Sequence, residues 1–198
     1  MLLTLSVMKN VPLIGIQTGR RLAQIGEPII NPNNLQVVAW YTTGNLIGFS
    51  PAVVFSEDIH ELGHLGAIID SADDIHPLDN LVRLQEILSY DFALKKLPVV
   101  SESGQKLGLV ESFNFDSDNF LIKQIIVKPS FSVRLTASQL IITRHQIVEL
   151  NNQRIVVSSV IRVAPTPPQK SPVKRSKSQP AAKPAPPTGK PVPETKHV

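Results

Sequence analysis

The feature that most constrains this chain is an internal repeat, for two stretches 85 positions apart carry the same hairpin pattern. In the first, β-branched runs at 21–30 and 35–42 flank Asn31, Pro32, Asn33 and Asn34; in the second, runs at 105–115 and 120–128 flank Asp116, Ser117, Asp118 and Asn119. Runs of this kind around Asx-rich clusters read as strand, turn, strand. A slide of 85 places Gly19, Arg20, Arg21 and Leu22 on Gly104, Gln105, Lys106 and Leu107, and Leu35 and Val37 on Phe120 and Ile122. Periodic self-similarity means one small unit used twice.

Further along, a slide of 81 sets Ser56, Glu57, Asp58 and Ile59 on Ala137, Ser138, Gln139 and Leu140, and His64 on His145. This makes the first copy's connection the longer one. The second copy ends in another hairpin, 145–150 and 154–160, around Asn151 and Asn152, where asparagine tolerates positive φ. Between the copies, Leu78, Leu81, Leu84, Ile87 and Leu88 recur at spacings of three and four, with Asp79 as the N-cap, and predict a short amphipathic helix packed on a barrel. Trp40 is assigned to the core and Tyr41 to the opposite face, since neighbours on a strand point apart. Pro28 replaces the second copy's Phe113 and predicts an edge or a bulge, because proline cannot donate a ladder hydrogen bond.

The order of these features, a Gly and a basic residue opening a strand, an Asx turn, an apolar strand and a Ser-containing turn before a terminal strand, resembles the PRC-barrel family. In the first copy it rests on Gly19, Arg20, Arg21, the 31–34 turn, Val37, Val38 and 56–59, followed by 64–70. In the second it rests on 104–108, Val110, the 116–119 turn, Ile122 and 125–127. Such barrels occur in the cytoplasmic part of the H subunit of purple bacterial reaction centres, in the C-terminal domain of a ribosome maturation factor and as stand-alone proteins. The resemblance implies a small barrel that holds another macromolecule and brings no catalytic residues. The fold expected is mainly β: two tandem small PRC-like β-barrels, a short connecting helix and a disordered Pro/Lys-rich C-terminal tail. Its divisions are 1–76 for the first repeat, 77–97 for the helical linker, 98–163 for the second repeat and 164–198 for the tail.

Composition separates the tail from the rest. Residues 164–198 hold ten of the 17 prolines and no Leu, Ile or aromatic residue, so they have little to bury against the entropy of ordering. They carry Lys170, Lys174, Arg175, Lys177, Lys183, Lys190 and Lys196 against a single Glu, so the net charge of +4 originates there. Charge spread among prolines suits an extended tether that adds salt-sensitive affinity for nucleic acid or an anionic surface without reading sequence. Cysteine is absent, which excludes disulfides and thiolate sites. Residues 1–7 lack the basic flank of a signal peptide, and no window reaches the ~18 apolar residues of a membrane span, so a cytoplasmic protein without a transmembrane segment is expected.

One motif points elsewhere. Residues 60–64 read HELGH, a match to HExxH, in which two His one helical turn apart bind zinc and the Glu acts as general base. His60, His64 and Asp70 would be the ligands and Glu61 the base. Gly63, Gly66 and the β-branched Ile68 and Ile69 disfavour the helix this chemistry needs, and the second copy has only His145. The stretch therefore reads as a solvated turn carrying His60 and Glu61, with His64 opening a strand. Asp70, Asp73 and Asp74 read as an acidic turn, since they lack the glycine and distal Glu of a calcium loop. The resulting expectation is a non-catalytic adaptor without metal or cofactor, holding a protein or ribonucleoprotein partner, its tail adding electrostatic affinity. A zinc hydrolase and a tail-driven nucleic-acid binder are the alternatives.

Overall fold

The alternation of the two hairpins becomes strand structure over nearly its whole length. The computed structural model of the protein describes residues 1–44, 47–134 and 138–158; the tail expectation, with its seven basic residues, lies outside these. Among the described residues the strands are β1 (Leu2–Thr4), β2 (Pro12–Gly15), β3 (Arg20–Asn31), β4 (Gln36–Thr43), β5 (Ala52–Phe55), β6 (Glu61–Leu62), β7 (Ala67–Ile69) and β8 (Ile75–Pro77). A helix, α1 (Val82–Ser89), follows. Then come β9 (Pro98–Ser101), β10 (Lys106–Asp116), β11 (Ile122–Pro129), the single helical turn α2 (Phe131–Arg134), β12 (Leu140–Thr143), β13 (Ile147–Leu150) and β14 (Ile155–Val157).

The strands form two seven-stranded mixed sheets, one of them a half-barrel. The first runs β6-β7-β2-β3-β4-β5-β8; the second runs β12-β11-β10-β9-β14-β13, with β1 added on β10. Read from β5 to β6 and from β12 to β13, the two orders are the same. In each, the chain meanders through four antiparallel strands and then returns to lay a strand parallel to the first, β7 on β2 and β14 on β9.

The repeat is closest at the hairpin turns. Asn31 Oδ1 accepts from the Asn33 N–H at 3.0 Å, and Asp116 Oδ1 from the Asp118 N–H at 3.3 Å. Asn34 Oδ1 accepts from the Gln36 N–H at 3.1 Å, and Asn119 Oδ1 from the Leu121 N–H at 3.0 Å. Short side-chain acceptors thus shape both turns by the same pair of local bonds. Leu35 and Phe120 follow at φ of 48° and 56°. The Val37 N–H then donates to the Phe120 carbonyl at 3.0 Å, and the Ile122 N–H to the Leu35 carbonyl at 2.9 Å. Equivalent groups are exchanged in both directions about the Gln36–Leu121 bridge, the pattern of a self-complementary two-fold contact within one chain.

The apolar faces of the two copies share one core, in which Leu13, Ile25, Trp40 and Ile69 join Phe113, Phe115, Ile125 and Ile142. The rings of Trp40 and Phe115 lie 5.6 Å apart at 52°, and Phe115 stacks on Phe120 at 6.3 Å. Trp40 is fully buried, as expected. Helix α1 covers the opposite face of the first sheet, where Leu84 packs with Ile29, Ala39 and Val53, and Tyr41 is drawn into that contact. The corresponding positions of the second sheet carry Asn114, Gln124 and Ile141. Asn114 donates to Gln124 at 2.8 Å and accepts from the Thr4 hydroxyl at 2.7 Å, so two of these three positions carry a polar network in the second sheet.

Four expectations change. The terminal segments correspond by a shift of 88: β5 leads into a 3-10 turn at Ser56–Asp58, and β12 into one at Arg144–Gln146. The longer connection is therefore in the second copy, and His64 and His145 are not equivalent. A Ser-polar-polar-apolar pattern is short and degenerate, whereas the pairing of β5 on β4 and of β12 on β11 is not. Secondly, β7 begins at Ala67, so His64 precedes the strand it was expected to open. Thirdly, α1 is capped by Leu81 and starts at Val82, because Leu78–Asn80 form a separate 3-10 turn that contains Asp79. Finally, Asn151 shapes its turn by accepting the Gln153 and Arg154 N–H groups, both at 2.9 Å, and neither Asn151 nor Asn152 has positive φ. Pro28 does lie at a register shift in the β3–β4 pairing.

Candidate binding groove

The residues 60–64 form a strand and a turn. Glu61 and Leu62 pair with Ile68 and Ala67, the His60 N–H donates to the Ile68 carbonyl at 2.9 Å, and the Gly63 N–H to the Gly66 carbonyl at 2.9 Å. His60 Nε2 stands 2.9 Å from Asp70 Oδ1, while Glu61 and His64 face solvent. Of His60, Glu61, His64 and Asp70, the fold thus brings together only the first and last. Two His spaced by four residues share a face on a helix, and a tight hairpin does not reproduce that geometry. Among the described residues no group of three or more His, Asp or Glu is placed to hold a metal. Asp73 and Asp74 lie in a 3-10 turn capped by Ser71, whose hydroxyl accepts the Asp73 N–H, while Asp74 accepts the Ser71 N–H. Close by, burial and then the neighbouring carboxylates Asp74 and Glu57 raise the Asp58 carboxyl above its ordinary range.

A different region has the form of a binding surface. At one end of the second sheet, β9, the start of β10, the end of β11 and the start of α2 enclose an open groove of about 650 Å³. Pro98, Val100 and Leu109 line it, Phe131 stands at one side, and Lys106 and Lys128 lie along it. Phe131 is 85% exposed and Leu109 48%. Large apolar groups held this far into water along one groove mark a contact surface more often than a packing accident.

Local chemistry explains the shape. A Cβ on Gly108 would fall 2.0 Å from the Lys128 carbonyl oxygen, so glycine lets β10 and β11 approach at the groove floor. The register of β10 on β9 shifts between Lys106 and Gly108. Ser130 then fastens the beginning of α2, its N–H donating to the Leu107 carbonyl at 2.7 Å and its hydroxyl to the Lys106 carbonyl at 2.9 Å. Phe131 is the next residue, so its backbone is held while its ring projects. In the first copy, Arg21 stands for Lys106, but Thr43 and Gly44 replace Lys128 and Pro129. The lysine and proline at this end of the hairpin are therefore particular to the second copy.

Sequence reasoning did not single out this groove. Its signal was the run Lys128, Pro129, Ser130 and Phe131, where a proline ends the strand, a serine can tie the chain back, and an aromatic follows at once. No helix among the described residues is long and apolar enough to cross a membrane. Compared with known proteins, the chain matches no family model and no curated sequence.

Proposed function

We propose that this protein is a non-catalytic adaptor of the tandem PRC-barrel kind, which holds a partner macromolecule against its second copy. The observation that carries the reading is the pairing of Phe131 and Leu109, both strongly exposed, with a groove walled by Pro98 and Val100. An exposed aromatic on a fastened backbone loses little freedom on binding and contributes a large contact area. Support for the PRC-barrel assignment comes from the shared strand order of the two copies and their common turn chemistry. The tail, in this reading, adds electrostatic affinity through its seven basic residues and tethers the complex.

The test is a photo-crosslinking amino acid installed at position 131 in the native cell, with the same group at Leu65, which is 81% exposed and remote in the chain, as control. Discrete crosslinked species at 131 that are missing at 65 support the adaptor reading. No discrete species at 131 overturns it. A stoichiometric zinc in the purified protein that is lost in His64→Ala would favour the hydrolase alternative instead.

A further inference from the structure

Given that reading, the structure assigns the groove a more specific occupant: a segment of a partner protein in which acidic residues are interspersed with bulky apolar ones. The argument rests on what the groove offers and what it omits. Its walls are Pro98, Val100, Leu109 and Phe131, which seat apolar side chains. Among the described residues its charged members are both cationic, Lys106 and Lys128, and no carboxylate lines it. Among the described residues neither lysine has a carboxylate within ion-pair distance, whereas Lys123 stands 3.9 Å from Asp116. Two cations without counter-charges beside exposed apolar groups complement an acidic, apolar chain.

The protein's own tail does not meet this description. It carries seven cations against one carboxylate and has no Leu, Ile or aromatic residue to place between the walls. Like charges across a contact oppose association. Nucleic acid is also a poor match, since two cations amid apolar walls offer few phosphate contacts and, among the described residues, Phe131 is the one stacking ring in the groove. An extended acidic segment uses both features at once. The groove is open, which suits a passing chain more than an enclosed small molecule.

The experiment is selection of a random decapeptide library on the full-length protein, followed by titration of the enriched peptides. The expected result is enrichment of Asp and Glu interspersed with Leu, Ile, Phe or Trp. Binding of the enriched peptides should weaken at least tenfold in Phe131→Ala, and at least tenfold in a Lys106→Glu, Lys128→Glu double variant. In the double variant the salt dependence should fall as well. All three side chains are exposed, so circular dichroism should show each variant folded. The same protein is tested with vesicles of phosphatidylcholine containing phosphatidylserine. Enrichment of basic or proline-rich peptides, acidic peptides whose binding is indifferent to these variants, or vesicle binding that depends on Phe131 without peptide binding would each overturn the assignment. Because crosslinking at 131 is independent of peptide charge, a crosslinked partner whose contact segment is neutral or basic would sink this inference and leave the adaptor reading standing.

Discussion

Leu35 and Phe120 occupy the left-handed region, where an L side chain costs about 1 kcal/mol or more, yet both are almost completely buried. The reciprocal bonds between their carbonyls and the amides of Ile122 and Val37 hold the backbone there. This combination yields an unusual sign. Leu35→Ala should destabilise by about 2–4 kcal/mol through lost burial, and Leu35→Gly should be the more stable of the two variants by ~1 kcal/mol, because glycine removes the strain. Urea unfolding of both variants reads the order directly, and a Gly variant weaker than the Ala variant would refute the strain argument. Asp58 provides a titration counterpart. Its raised pKa, caused first by burial and then by Asp74 and Glu57, means the folded state holds this proton more tightly than the unfolded chain. Ionisation therefore costs stability: the penalty is absent below the ordinary carboxylate range and complete once pH exceeds the raised value. Asp58→Asn should then stabilise at neutral pH by about 1 kcal/mol or less, given partial solvent screening, and lose that advantage in acid. Stability measured against pH for both proteins checks it.

Helix α1 shows how one element decides what its neighbour must be. Its covering of the first sheet matches the apolar Ile29, Ala39 and Val53, where the second sheet has Asn114 and Gln124 at the positions of Ile29 and Ala39. Leu84 is the buried centre of that contact, so Leu84→Ala should cost about 2–5 kcal/mol, measured by chemical unfolding. A substitution at the exposed Val82 of the same helix should change stability by no more than ~0.5 kcal/mol. The helix itself was readable from the spacing of five apolar residues, but its start was not, because a 3-10 turn used Asp79 before the helix began. The groove followed the same division. Its lysines and proline were visible in the sequence, while their meeting with Leu109 and Phe131 depends on Gly108 and Ser130 drawing β10, β11 and α2 together.

At the scale of the molecule, a repeat in sequence has become a single folded unit among the described residues. Leu2–Thr4, at the start of the first copy, pair with β10 of the second, and residues of both copies build one core around Trp40 and Phe115. Unfolding should accordingly be one cooperative transition, with calorimetric and van't Hoff enthalpies in agreement for the chain from Met1 to Ser158. Two resolved transitions would mean the copies are independent. Periodicity and turn chemistry were enough to indicate the strands of the two aligned hairpins, the existence of the helix and the repetition, because these depend mainly on residues close together in the chain. The shift of 88 between the terminal segments, the failure of HELGH to form a helix, the exchange of bonds between Leu35 and Phe120, and the groove at Phe131 were decided by tertiary structure. They depend on which strands pair and which faces meet, and those choices are made by contacts between residues distant in sequence.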